Sequence, residues 1–242
     1  MTKRFKLDPS LISLAPIVVP DLIRIGKEYD GGYIISERSM ITARGMLSFG
    51  VNDDWSFDQQ WQTRKPQDKI HAYDGTISPS KMSDDLRESY RRFFGFQAVH
   101  FPVNVGLSSS QGQSSFDDIM IRMNSDHVFL KMDIEGGEWH LTDAITRHAL
   151  SITGMVIEFH NTARLRPLFL ETVSRYQEHF HVTHIHPNTS CSLAEDNFPT
   201  VVELSFINKS LWDGNEVRKE IHLPDLDQAN LPNTEDIALY FE

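Results

Sequence analysis

Short, nearly uninterrupted apolar runs recur along this chain at 45–50, 69–73, 98–104, 128–132 and 154–159, with helical patterns between them. A strand with water on one face alternates apolar and polar residues, so a run that is apolar throughout must be covered on both faces. That requirement selects a parallel sheet sandwiched by helices, each strand reaching the next through a crossover. The stripes between the runs supply crossover helices. Residues 80–92 carry Met82, Leu86 and Tyr90 on one face behind a Ser80 cap; 138–150 carry Leu141, Ile145 and Ala149; 168–180 carry Val173, Tyr176 and Phe180. Two further strands, 182–186 and 201–207, are separated by a stretch too short for a crossover helix and punctuated by Pro187 and Pro199. The last strand should therefore pair antiparallel. Ahead of the sheet, apolar runs flank Asp30-Gly31-Gly32 and read as a β-hairpin. One α/β domain accounts for all 242 residues: a lead-in and hairpin over 1–40, a core over 41–210, and an acidic, Pro-punctuated tail over 211–242 that packs on the surface or frays.

In open α/β sheets ligands bind beyond the carboxyl ends of the strands, so what each strand delivers there matters most. The first delivers LSFGVNDDWSFD, in which Gly50 allows a sharp turn and a close approach by a ligand, and a helix from about Ser56 aims its amides outward. The loop has one glycine rather than the three of a dinucleotide-binding turn, with Asn52, Asp53 and Asp54 following. The second ends in Asp74-Gly75, about 20 residues beyond the glycine turn, the spacing at which an acid accepts from ribose hydroxyls. The third ends near Asn104, placed to flank a base or to make a surface turn. The fourth, FLKMDIEGGEW, runs from a buried strand into Asp133, Glu135 and Glu138. Carboxylates that close repel one another unless a cation or a hydrogen-bonding ligand offsets the repulsion, although Glu135 and Glu138 would also suit the N-terminus of the next helix. The fifth ends in MVIEFHN, bringing Glu158 and His160 to the neighbouring strand end, and the sixth carries His184 and His186 on one face.

Taken in order, RIGKEYDGGYII, SFGVNDDWSFD, SSFDDIMIRMNSDHVFLKMDIEGGEW and VIEFHN resemble the FkbM-type S-adenosylmethionine-dependent methyltransferases over residues 22–207. The segment LKMDIEGGEW is close to that family's hallmark. The resemblance implies a Rossmann-like class I methyltransferase fold: a mostly parallel seven-stranded sheet with an antiparallel last strand, preceded here by the hairpin. It implies S-adenosylmethionine as cofactor and transfer of its methyl group to an oxygen, often on a sugar or natural product. Carried over by position, Gly50 lies beneath the cofactor's amino-acid portion, Asp74 holds the ribose and Asp133 sits beside the methyl donor. Asn52, Asp54, Phe57, Gly75 and Asn104 complete the expected cofactor shell.

Methyl transfer to a hydroxyl needs a base or a metal, because a sugar hydroxyl is a poor nucleophile at neutral pH. His160 is the candidate base, since imidazole titrates near neutrality. Asp133 and Glu158, with Glu135 beside them, offer oxygen ligands to a divalent cation such as Mg²⁺. Trp55, Trp139, Trp212 and the 187–199 loop are the places to look for acceptor specificity. Two other classes fit some of the same residues. A metal-dependent hydrolase would use Asp133, His160, His184 and His186 together, and a non-catalytic Rossmann-like module would hold a nucleotide without turning it over.

Charge and composition narrow the partners. Acidic residues number 34 against 23 Lys plus Arg, a net charge of −11, and no basic run offsets it, so duplex nucleic acid is an unfavourable partner. A neutral or cationic sugar or small-molecule acceptor suits this field. Cys191 is the single cysteine, which leaves no intrachain disulfide and makes a cytoplasmic location the expectation. The basic start MTKRFKLDPS is not followed by the apolar stretch of a secretory signal, and no run has the ~18 apolar residues of a membrane helix. Direct membrane insertion is not expected; monomer and homo-oligomer both stay open.

Overall fold

The computed structural model describes residues 2–95 and 98–242. Seven strands form the central sheet: β1 (Gly45–Phe49), β2 (Lys69–Tyr73), β3 (Ala98–Phe101), β4 (Val128–Met132), β5 (Ile152–His160), β6 (Phe180–Pro187) and β7 (Val201–Asn208). Their spatial order is β6-β7-β5-β4-β1-β2-β3. Every pair from β5 to β3 is parallel, and β7 runs antiparallel to both β5 and β6. The chain thus starts at the sheet's middle, winds outward to β3, and returns across β1 to build the other half. The crevice at that reversal lies beyond β1 and β4, where such sheets bind ligands.

Among the described residues α1 (Glu37–Thr42) leads into β1, and five helices connect the strands: α2 (Ser56–Arg64), α3 (Asp84–Phe93), α4 (Phe116–Met123), α5 (Thr142–Arg147) and α6 (Arg166–Tyr176). The period-2 alternation of the strands sends side chains into two cores. Leu47, Leu130, Met132, Ile157 and Phe159 pack against Phe116 and Ile119 of α4, Ile145 of α5 and Phe169 and Val173 of α6. On the opposite face Met46, Phe129 and Val156 meet Met40 of α1, Phe57 and Trp61 of α2 and Phe93 of α3. Both faces are covered, which is why the strands read as continuous apolar runs.

Several local expectations change. The hairpin strands, Leu22–Ile25 and Tyr33–Ser36, pair antiparallel as expected, but their connection is a seven-residue loop, 26–32, with positive φ at Gly26, Tyr29 and Gly31 rather than a tight glycine turn. The helix over 80–92 begins after Ser83, whose Oγ accepts from the Leu86 amide; Ser80 sits in a preceding 3₁₀ turn. The stripe over 138–150 is broken into Glu138–His140, α5 and Ala149–Ser151, because Glu138 turns inward to the site instead of opening a regular helix. Pro102, which cannot donate to a ladder, ends β3, and Asn104–Gly106 pairs instead with Gln113–Ser115. The stripe over 168–180 starts earlier, at Arg166, and Phe180 already belongs to β6. The tail is anchored rather than frayed: Ile237–Tyr240 pairs parallel to Lys3–Lys6, and Asp227 and Asn230 are buried. Among the described residues no helix is long and apolar enough to cross a membrane.

Candidate functional site

The carboxyl ends of β1, β2 and β4 open onto a cavity of about 670 Å³, within the size range of small-molecule and cofactor sites. Gly50, Asn52, Asp54, Phe57, Asp74, Asn104, Asp133 and Glu135 all line it. Gly75 does not; its amide donates to Asn104 Oδ1 at 3.0 Å and thereby fixes that lining side chain.

Gly50 holds the floor. Its φ is +71°, and a Cβ there would lie 2.6 Å from the Asp133 carbonyl carbon and closer still to its oxygen. The close approach of the β1 and β4 ends therefore requires glycine. Lys131 Nζ, almost fully buried, donates to the Gly50 carbonyl at 2.5 Å. Asn52, with φ +49°, takes the left-handed position that a second glycine would otherwise fill, a conformation asparagine tolerates better than most residues. One of the missing glycines of this loop is thus replaced by an asparagine.

Asp74 is buried in the cavity wall, and its own chain fills it. Oδ2 accepts from the Val51 and Asn52 amides at 2.9 and 2.8 Å, and Oδ1 from the Thr76 amide and hydroxyl at 2.7 and 2.6 Å. Burial alone would raise this carboxyl, but the bonds from Thr76, Asn52 and Val51 outweigh it and hold it below the usual range. A carboxylate has about four acceptor positions, so Asp74 shapes the glycine turn and reaches a ligand only where one of these bonds yields.

Beyond Asp133 lies a second, more acidic group of side chains. Atoms of Asp133, Glu158 and His160 lie within 4.8 Å of one another, each offering one lone pair. His160 Nε2 stands 3.8 Å from both Asp133 Oδ1 and Glu158 Oε1, and 3.4 Å from Glu135 Oε2, a side chain that is 86% exposed. Glu138, fully buried, accepts from the His160 amide at 2.7 Å and from the Gly136 amide at 2.8 Å, and lies 3.3 Å from His160 Nδ1. Burial pushes Glu158 up, helped by the charges of Asp133 and Glu203, to about 8. Burial also raises Asp133, with Lys131 and His160 pulling the other way. For His160 burial acts downward, but the bond to Glu138 and the charges of Glu138, Glu158 and Asp133 prevail and bring it to about 9.

Several residues here escaped the sequence reading. Tyr33, from the hairpin, directs its hydroxyl between Asp133 Oδ2 at 3.4 Å and Glu158 Oε2 at 3.3 Å. Asn188 Nδ2 donates to Glu158 Oε1 at 3.0 Å. Lys27 pairs with Asp54 at 2.9 Å on the cavity's rim. Lys131 lies inside the hallmark segment and could have been singled out as a lysine in an apolar strand; nothing local marks Tyr33, whose partners are distant in sequence, and Asn188, which stands at the sixth strand end inside the 187–199 loop, had no role of its own assigned. The tryptophans are mostly packing: Trp55 lies against Tyr90 and Phe94, and Trp139 against Phe159 and Phe169, while Arg38 stacks over Trp212.

The hydrolase grouping does not assemble. His184 is paired with Asp227 at 2.8 Å, and His186 lies between Glu203 at 3.3 Å and Asp236 at 3.1 Å. Among the described residues the one set of three such ligands close enough to share an ion is Asp133, Glu158 and His160.

No family model and no curated protein matches the chain. Solved structures do. Methanococcus jannaschii fibrillarin, a pre-rRNA processing protein, aligns at TM-score 0.41 and 10% identity over 83% of this chain and 88% of its own. Geobacter metallireducens precorrin-6y C5,15-methyltransferase aligns at 0.40 and 14% over 71% and 84%. The 16S rRNA (adenine(1408)-N(1))-methyltransferase of Catenulisporales acidiphilia aligns at 0.37 and 11% over 71% and 90%. By its own topology the fold is Rossmann-like, a doubly wound and mostly parallel seven-stranded sheet with one antiparallel strand. At these identities and scores the likeness says nothing about substrate.

Proposed function

We propose that this chain is an S-adenosylmethionine-dependent O-methyltransferase of the FkbM type, acting on a hydroxyl of a sugar, a glycan or a small natural product. The observation that carries the reading is one continuous site: a glycine-floored cavity at the sheet's reversal point whose Asp133 also belongs to the Asp133–Glu158–His160 cluster. The charges fit the cofactor. Asp30, Asp53, Asp54, Asp74, Asp133 and Glu135 outnumber Lys27 and Lys131 around the cavity, which favours a ligand bearing a sulfonium and an ammonium.

The bound cofactor supplies an already electrophilic methyl group. The chain's task is to align the acceptor oxygen with it, worth roughly 7–11 kcal/mol at best, and to take the hydroxyl proton. His160 is the proposed acceptor of that proton at Nε2, because Nδ1 is turned to Glu138. With the surrounding carboxylates alone, the imidazole is raised to about 9 and stays protonated at neutral pH. A divalent cation such as Mg²⁺, held by Asp133 and Glu158 with Glu135 at the rim, would cancel that field, lower the imidazole and acidify the hydroxyl. The donor set suits such an ion, since carboxylate oxygens of Asp133 and Glu158 lie within 4.8 Å of one another.

A net charge of −11 supports a neutral or cationic small acceptor over duplex nucleic acid. The decisive experiment is calorimetric titration with S-adenosylhomocysteine, with and without Mg²⁺. Saturable binding with one ligand per chain is expected; no binding under either condition overturns the assignment. Binding without transfer to any hydroxyl acceptor would favour the non-catalytic module.

A further inference from the structure

The tail carries a residue that ties three parts of the site together. Asn230 is 3% exposed, and its four polar groups reach three places: the 26–32 loop, β7 and the segment that follows β6. Its carbonyl accepts from the Asp30 amide at 3.1 Å. Its Nδ2 donates to Glu203 Oε1 at 3.0 Å and Asp30 Oδ1 at 3.3 Å. Its amide donates to Thr189 Oγ1 at 2.7 Å, and its Oδ1 accepts from the Thr189 amide at 2.8 Å. Asp30 and Gly31 line the cavity within the 26–32 loop. Thr189 follows Asn188, which holds Glu158.

The segment around Asn230 is fixed at both ends. Asp227 is bound to His184 at 2.8 Å and accepts from the Leu223 amide at 2.6 Å. Asp236 meets His186 at 3.1 Å and His222 at 3.1 Å. Next to Asn230, Gln228 Oε1 accepts from the Tyr29 amide at 3.1 Å, a second tie to the same loop. Histidines 184 and 186, which the sequence offered as metal ligands, thus anchor a strap that crosses the carboxyl-end rim of the sheet.

We propose that Asn230 is a positioning residue of the active site. Through Asp30 it sets the wall of the cofactor cavity, and through Thr189 it sets the loop that bears Asn188. This rests on the methyltransferase reading for its ligand, but the clip itself can be tested without one. The amide is chemically particular: it must donate to two carboxylates and accept from a backbone amide at once. Asn230→Asp keeps the shape and the Oδ1 acceptor but sets a third negative charge against Asp30 and Glu203. Asn230→Ala removes the bonds without adding repulsion.

The test uses the full chain in four forms: wild type, Asn230→Ala, Asn230→Asp and the milder Thr189→Val, which removes one hydroxyl from the other side of the clip. Calorimetry with S-adenosylhomocysteine should show affinity weakened about tenfold in Asn230→Ala, within the usual range of coupling between sites, and weakened further in Asn230→Asp. Packing alone would make the isosteric aspartate the gentler change, so that reversed order overturns the proposal, as does equal affinity in all forms. Hydrogen exchange of the ligand-free proteins should speed up together at 28–32 and 189–191 in Asn230→Ala, and less so in Thr189→Val, which stands in should the other variants fail to fold. Unchanged exchange there overturns the clip. A wild type that binds no S-adenosylhomocysteine while the exchange coupling holds would overturn the methyltransferase reading and leave the clip supported.

Discussion

Gly50→Ala probes the floor of the cavity, and Gly136→Ala supplies its control. Both glycines have positive φ, +71° and +101°. A side chain in that region costs roughly 1–2 kcal/mol. At Gly136 an added Cβ meets nothing within 4 Å, so the backbone term is the whole cost. For a domain of this size that lowers Tm by about 2–8 °C. At Gly50 the same Cβ would lie 2.6 Å from the Asp133 carbonyl carbon, a backbone atom. Ordinary carbon contacts need about 3.5–4.0 Å, so the end of β4 must retreat by at least roughly 1 Å, and further where the nearer carbonyl oxygen is the limiting contact. That retreat strains the 2.9 Å bond from the Asp133 amide to the Phe49 carbonyl and the 2.5 Å bond from Lys131 to Gly50. It also carries the Asp133 carboxyl away from Glu158 and His160, and displacements of that size cost about 10²-fold in catalysis. Scanning calorimetry on the three proteins should therefore place Gly50→Ala clearly below Gly136→Ala, and titration with S-adenosylhomocysteine should show a loss of affinity of about tenfold or more in Gly50→Ala alone. If the two variants melt together and both bind like wild type, the floor does not work as argued.

Glu138→Gln removes the nearest negative charge from His160. By NMR of the imidazole ring in chelator-treated protein, its midpoint should drop from about 9 by about 1–3 units, and an unmoved midpoint refutes the pairing. Because the folded His160 sits above the free value of 6.5, its stabilising effect is complete below that pH and is lost as pH rises through about 9; Glu158, raised to about 8, pulls the same way. Wild-type Tm should accordingly fall across that window, and less steeply in Glu138→Gln. His160→Ala should cut methyl transfer by about 10²–10⁴-fold while S-adenosylhomocysteine binds as before; unchanged turnover removes His160 from the chemistry. Thr76→Val frees one acceptor position on Asp74, so if a ribose hydroxyl displaces Thr76 Oγ1 the variant binds S-adenosylhomocysteine at least as well as wild type, whereas weaker binding means the Thr76–Asp74 bond must persist.

The sheet could be read from the sequence because burial on both faces leaves a local mark, visible in runs such as Val128–Met132. The antiparallel β7 followed from chain length alone, since too few residues separate it from β6 to cross over. Features that depend on competition between partners were not visible. Glu138 looked like a helix-opening acid; it is fully buried because the His160 amide and ring draw it inward, and the expected helix breaks as a result. Asn230, Tyr33 and Asn188 act on partners 27 to 200 residues away, and no periodicity records such distances. The tail's composition suggested a solvated surface, because acidic residues usually are solvated; here Asp227 and Asp236 are carried to buried histidines.

Asp74 shows how the chain itself can claim a side chain that spacing alone assigns to a ligand. An acid at the end of the second strand stands where a ribose would pass, and the structure does place Asp74 in the cavity wall. Yet the glycine turn has to be held open, and its buried and half-buried amides at Val51 and Asn52 need an acceptor. Asp74 provides one, with Thr76 occupying the other oxygen. Three of these four bonds come from buried or half-buried backbone amides, those of Val51, Asn52 and Thr76, whose loss would cost about 1–3 kcal/mol each, so they will not yield to a ligand. The Thr76 hydroxyl is a rotor that can turn to another partner. A ribose can therefore reach Asp74 only through Oδ1, with one hydroxyl, and the second hydroxyl must find another acceptor in the cavity wall. The carboxylate's first task is to build the turn, and contact with the proposed cofactor would be added to that.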